Sequence, residues 1–212
     1  MKCVTLIPAR GGSKGIPGKN LYKICGKPLL TYTIEASLGS IVQETWVSSD
    51  STEILNFASS KGAHCIKRPP KFATDDASSE DALLHFAEHV DFDILVFLQA
   101  TSPLIQSSDI DAGINLMNSY DSIVGVTENT QFSWVSGQPQ YDLRFRKRRQ
   151  DLGQSFLENG SIYITTKDQL LRSETRVSGD IGFLEMPKIR SFEIDSFEDI
   201  EIVELVMKQK IM

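Results

Sequence analysis

Short, nearly continuous apolar runs alternate with longer amphipathic stretches along most of the chain. "CVTLIP" at 3–8 is apolar and β-branched and reads as a buried strand. "PLLTYTIEASL" at 28–38 then reads as a helix with Pro28 at its first turn. "ETWVSSD" is a second strand, and "DSTEILNFASSKG" a helix capped by Asp50 or Ser51 and stopped at Gly62. "AHCIKR" is a third short strand. "SSEDALLHFAEHV" is an amphipathic helix, and "DILVFLQ" at 93–99 a strongly apolar strand. "SSDIDAGINLMNS" and "DSIVGVT" continue the alternation, and "NGSIYIT" at 159–165 is a further strand. "SFEIDSFEDIEIVELVMKQKIM" closes the chain as a short strand and a capped helix. Alternation of this kind predicts a mainly parallel sheet with helices on both faces. It also predicts a ligand site at the carboxyl ends of the strands.

The rhythm breaks between Glu128 and Leu157, where the chain is polar and carries Trp134, Gly137, Pro139 and the basic run "RFRKRRQ". That length exceeds a plain connection and reads as an excursion with its own role. The rest forms one domain over 1–212, with no internal repeat. The net charge of −6 excludes broad nucleic-acid affinity, which needs an excess of Lys and Arg. No apolar run reaches the roughly 18 residues of a membrane span, and the first apolar segment is too short for a secretory signal. Cys3, Cys25 and Cys65 lack metal-ligand spacing and read as reduced thiols of a cytoplasmic protein.

Against this acidic background, "LIPARGGSKGIPGKN" at 6–20 places Arg10, Lys14 and Lys19 on a loop with Gly12, Gly15 and Gly18. Glycine lets backbone N–H groups turn toward a phosphate. The loop fails both familiar phosphate patterns: Asn20 follows Gly18-Lys19, and no Gly-x-Gly occurs. What remains is a local concentration of cations suited to a small polyanion such as a triphosphate.

The opening motif "IPARGGSKGIPGKN" closely resembles that of the acylneuraminate cytidylyltransferases. Four later segments agree in order: "RPPKFATDDASS", "FLQATSPL", "RRQD" with "ENGSIYI", and "FEIDSFED". The resemblance implies a Rossmann-like nucleotidyltransferase fold of three layers. It implies transfer of CMP from CTP to the anomeric hydroxyl of a 2-keto-3-deoxy sugar acid, with Mg²⁺ and release of pyrophosphate. By similarity Arg10, Lys14 and Lys19 handle the triphosphate, with Ser13 and Asn20 beside them. Arg68, Ala77 and Ser79 match cytidine positions, Gln99 reaches the sugar acid, and Asn159 belongs to the substrate set. Glu193 and Asp195, two apart on an expected strand, share one face and match the metal-binding pair. The excursion 128–157 corresponds to the part that builds a homodimer, with Arg149 and Gln150 near the partner's site.

Two alternatives stand beside this: transfer to a different small acceptor, and a catalytically silent nucleotide-binding protein. Leu157 and Glu158 stand where some relatives have an arginine for the acceptor's carboxylate, and Glu193 stands where aspartate is usual. Ser196-x-x-Asp199 reads as a capping box. "HFAEH" at 85–89 fits an inverted zinc-peptidase pattern on a helix, but no third ligand accompanies it.

Overall fold

The computed structural model describes residues 1–148, 151 and 153–209. Seven strands form the central sheet: β1 Cys3–Pro8, β2 Glu44–Ser49, β3 His64–Lys67, β4 Ile94–Leu98, β5 Ser122–Glu128, β6 Phe156–Thr166 and β7 Ile181–Glu185. Their spatial order is β7-β5-β6-β4-β1-β2-β3. Only β6 runs antiparallel, to both β4 and β5, and every other neighbouring pair is parallel. The helices are α1 Leu29–Leu38, α2 Thr52–Ser60, α3 Ser79–His89, α4 Ser107–Leu116, α5 Lys167–Ser173 and α6 Phe197–Gln209.

The strands carry apolar residues on both faces because both faces are covered. Within β4, Ile94, Val96 and Leu98 point to a core shared with α1, α2 and α4. Leu95 and Phe97 point the other way, to a core with Leu83 and Phe86 of α3 and Leu170 of α5. The result is the three-layer α/β arrangement the alternation predicts. A third cluster joins α6 to the opening loop, with Ile16, Ile24, Leu29 and Ile194 packed on Val203 and Met207.

The structure differs from the sequence reading at 191–195, at β7 and at α5 Lys167–Ser173, a helix the apolar pattern did not reveal, and it resolves the cap of α2. Residues 191–195 are not a strand; the chain there is an irregular segment between the turn at Lys188–Arg190 and α6, outside the sheet. The missing strand is β7, whose exposed Ile181 and Phe183 alternate with buried Gly182 and Leu184 at the sheet edge. Ser51, not Asp50, caps α2 by accepting from the Ile54 N–H. Ser78 and Asp81 form a capping box on α3. Ser196 and Asp199 do the same on α6: the Ser196 N–H donates to Asp199 Oδ2 at 2.8 Å, and the Asp199 N–H donates to Ser196 Oγ at 3.3 Å.

After Glu128 the chain leaves the sheet, and the described residues before Phe156 include a two-residue ladder, Trp134–Val135 with Gln138–Pro139. Trp134, Val135, Leu143 and Phe145 are exposed there. No described helix is long and apolar enough to cross a membrane.

Candidate active site

Strand order reverses between β1 and β4, since β1 continues to β2 on one side while β4 lies on the other. A parallel sheet opens a crevice at the carboxyl ends of the strands at such a point. A cavity of about 270 Å³ lies there, lined among others by Arg10, Ser13, Lys19, Asn20, Arg68, Ala77, Ser79 and Gln99. Eight of the residues singled out from the sequence thus meet in one place, from segments separated by up to 89 positions (Arg10 to Gln99).

The opening loop is held from several sides. Pro8 ends β1, and the Gly11 N–H donates to Asp50 Oδ1 at 2.8 Å. Asp50, released from capping α2, therefore positions the loop. Asn20 Nδ2 donates to the Arg10 carbonyl at 2.9 Å and pins the loop's two ends together. The three glycines serve different purposes. Gly18 has φ 63°, the left-handed region that a side chain disfavours. A Cβ on Gly15 would lie 2.4 Å from the Asp195 carbonyl oxygen, so glycine there permits the close approach of 195. Gly12 has open space around its Cα and lines the cavity.

The loop cations are not bare. Arg10 Nη1 lies 2.6 Å from Asp75 Oδ1, and Lys14 Nζ lies 3.2 Å from Asp75 Oδ2. The two hydrogen bonds, to Arg10 and then Lys14, hold the Asp75 carboxyl below the usual carboxylate range. Lys19 Nζ lies 3.0 Å from Asp195 Oδ1 and donates to the Ile194 carbonyl at 3.0 Å. The expected repulsion among loop cations is therefore relieved by carboxylates from two distant segments. Asp75 was visible inside "RPPKFATDDASS", but no local pattern marks an acidic residue whose partner is 65 positions away.

Arg68 is buried, and no carboxylate of the described residues lies at ion-pair distance from it. Burial pulls its guanidinium downward, against the opposing charge of Asp50, and its Nε has no hydrogen-bond partner. A buried, unpaired donor on a cavity wall is costly unless a ligand completes it.

Glu193 and Asp195 lie beside this cavity, across Lys19. Ile194 between them is fully buried and its N–H donates to the Thr101 carbonyl at 2.9 Å. That anchor fixes the segment between the two carboxylates, which lie close enough for the charge of Asp195 to act on Glu193, although no strand is formed. The Glu193 carboxyl is pushed up by burial and then by the charge of Asp195, with Lys19 pulling it back. Its Oε1 is buried without a hydrogen-bond partner.

Asn159 lies outside the cavity. It sits where the β6–β5 register shifts, between Glu158 and Tyr163. Its Oδ1 accepts from the Ser161 N–H at 3.1 Å, and its Nδ2 reaches Ser191 Oγ at 3.3 Å. The amide thus ties a bulge in β6 to the segment that leads into Glu193. Bulges re-aim the residues beside them. Gly160, at φ 68°, is turned so that a Cβ there would lie 2.3 Å from Glu193 Oε1.

His85 and His89 share one helix face, with ring centroids 4.5 Å apart. His89 Nδ1 is engaged with the His85 carbonyl oxygen at 2.7 Å, and His85 packs against Phe72 on the cavity wall. Among the described residues, no group of three or more His, Cys, Asp or Glu side chains converges as a metal site. Arg149 and Gln150 lie outside the described residues.

A family model for cytidylyltransferases matches residues 4–205, nearly the whole chain. The chain belongs to the cytidylyltransferase family. This cytidylyltransferase is 34% identical over 212 residues to N-acylneuraminate cytidylyltransferase A of Danio rerio, an alignment covering 94% of the chain and 49% of the fish protein. It is 31% identical to post-translational flagellin modification protein B of Campylobacter coli, covering 96% of the chain and 94% of that protein. The chain spans about half the length of the N-acylneuraminate cytidylyltransferases it matches. Among solved structures, CMP:2-keto-3-deoxy-manno-octonic acid synthetase complexed with CTP superposes with a TM-score of 0.76 at 21% identity, covering 99% of this chain and 100% of that one. At that identity the likeness establishes the Rossmann-like nucleotidyltransferase fold.

Proposed function

We propose that this cytidylyltransferase moves CMP from CTP to the anomeric hydroxyl of a 2-keto-3-deoxy sugar acid, N-acetylneuraminate or a related nonulosonate, releasing pyrophosphate. The reading is carried by the convergence of Arg10, Lys19, Arg68, Ser79 and Gln99 on one cavity at the strand-order switch. The acceptor class is supported by the fish relative's name, and the donor by the CTP complex of the structural neighbour.

In this proposal Arg10, Lys14 and Lys19 bind the triphosphate, Arg as a fork and Lys as point charges. Ser13 and Asn20 complete the loop. Arg68, with its unpaired buried Nε, meets the nucleoside together with Ala77 and Ser79, the first residue of α3. Gln99 orients the acceptor. The anomeric oxygen forms a bond to the α-phosphorus, the bond to pyrophosphate breaks with the electron pair leaving on oxygen, and the hydroxyl proton passes to solvent water. Charge gathers on phosphate oxygens, so positioning and cationic side chains supply most of the acceleration.

Glu193 and Asp195 suit Mg²⁺. Two mutually repelling carboxylates, one with an orphaned buried oxygen, gain from a divalent cation, and Mg²⁺ takes one or two carboxylates alongside phosphate oxygens. When bound, Mg²⁺ would neutralise charge on the transferring phosphoryl group. Asn159 contributes by holding the bulge that sets Gly160 against Glu193. We place the exposed Trp134, Val135, Leu143 and Phe145 of the excursion 128–157 in a homodimer interface, and the enzyme in the cytoplasm with its nucleotide donor.

The test is pyrophosphate release from CTP with Mg²⁺ and a panel of nonulosonates, against UTP, GTP and ATP. Release specific to CTP is expected. The Arg10→Ala/Lys19→Ala double variant removes two charge-assisted contacts of about 1.5–3 kcal/mol each, so CTP affinity should fall at least about a hundredfold. No release with any acceptor would refute the reading.

A further inference from the structure

The cradle holds an anion of its own. Asp75, on the loop between the turn at Pro70–Phe72 and α3, presents one carboxylate oxygen to Arg10 at 2.6 Å and the other to Lys14 at 3.2 Å. The adjacent Thr74 carbonyl accepts from the same Arg10 nitrogen at 3.2 Å. A carboxylate bridging two cations with separate oxygens takes the place that two phosphate oxygens would take. It lines the same cavity. Its side chain is 44% exposed, so the pairing is screened and readily exchanged.

We infer that Asp75 is an internal counter-anion that sets which phosphates the cradle accepts, an inference resting on the nucleotide-binding reading above. A single phosphate group gains little by displacing it, because one anion then replaces another on the same two cations. A triphosphate gains more, since it also reaches Lys19 and, through its nucleoside, Arg68. The displacement cost is common to every ligand that takes Arg10 and Lys14, so inorganic phosphate, with no further contacts, falls below useful affinity first, while CTP still binds through Lys19 and Arg68. After transfer the counter-anion competes with the departing pyrophosphate for Arg10 and Lys14 and so speeds its release. Arg10 and Lys14 bind the phosphates directly; Asp75 acts through them and is a specificity-determining residue.

The test is calorimetric titration of the unaltered protein, Asp75→Asn and Asp75→Glu with inorganic phosphate, pyrophosphate and CTP. Removing one negative charge beside the bound anion should tighten pyrophosphate and phosphate about tenfold in Asp75→Asn, while Asp75→Glu stays near the unaltered protein. The gain in Asp75→Asn should shrink when Lys14→Ala is added, because the carboxylate works through that cation. Pyrophosphate should also become the stronger product inhibitor. A purely structural role for Asp75 would loosen or leave pyrophosphate binding, and either result in a variant with an unchanged melting temperature overturns the inference. If Asp75→Asn melts early, Asp75→Ser is read in its place. CTP binding by the unaltered protein with no tightening of pyrophosphate or phosphate in Asp75→Asn sinks the counter-anion alone. Absence of CTP binding in the unaltered protein sinks the nucleotide reading, and this inference with it.

Discussion

Replacing Gly160 by alanine tests whether Glu193 is placed for a metal. Two effects follow from the geometry, and they separate. The first is backbone strain: φ is 68° at Gly160, and a left-handed residue with a Cβ costs about 1–2 kcal/mol. For a chain of this size that is a fall of about 2–8 °C in melting temperature. The second is displacement. The new Cβ would stand 2.3 Å from Glu193 Oε1 and 2.8 Å from Oε2, both at the end of a flexible side chain. Restoring ordinary contact moves the carboxylate by roughly 1 Å, which costs little in stability. It matters for Mg²⁺, whose ligands must sit at about 2.0–2.1 Å. The concentration of Mg²⁺ for half-maximal activity should therefore rise about tenfold or more. Gly26→Ala is the control, because Gly26 has φ 84° and nothing within 4 Å of the added Cβ. It should melt early with normal Mg²⁺ dependence. Shortening the carboxylate in Gly160→Ala/Glu193→Asp should recover part of the Mg²⁺ response. If Gly160→Ala matches Gly26→Ala in both melting and Mg²⁺ dependence, Glu193 does not serve the metal.

Further expectations concern stability and assembly. The pKa of His85 is lowered from 6.5, first by burial and then by the charge of His89, so the unfolded chain binds the proton more tightly. The corresponding stability is full above pH 6.5 and is lost as the pH falls from there through the folded value; His85→Phe should flatten the melting temperature between pH 7.5 and 5.5, and an unchanged slope would refute this. In the excursion, Phe145 is 75% exposed and Leu143 62%. Leu143→Asp/Phe145→Asp should lower the sedimentation mass toward the monomer with little change in melting at high dilution, whereas an unaltered mass would remove these residues from the interface.

Much of the architecture was legible because its cues are local. A buried strand of a doubly covered sheet reads as an unbroken apolar run, and α2, α3 and α6 announce themselves with Ser51, Ser78 and Ser196 at their caps. β7 escaped because it is five residues long, with Gly182 at one of its two buried positions and apolar Ile181 and Phe183 at exposed ones, so no apolar–polar alternation marks it. Glu193 and Asp195 lie on irregular chain and not on the strand their spacing suggests. Coil anchored by one buried isoleucine between two polar residues shows the same polar–apolar–polar pattern as a strand, and sequence periodicity cannot tell them apart.

By itself the sequence determined the layer arrangement, the cationic opening loop and the side chains that gather around it, because composition and period act over a few residues. The tertiary structure alone decided how that loop is neutralised. Asp75 and Asp195 reach its cations across 65 and 176 positions, and Asn159 and Gly160 form a bulge that seats Glu193. Such pairings depend on which strand lies beside which, and the order β4-β1-β2 is set by packing the whole sheet between two layers of helices, not by any one segment.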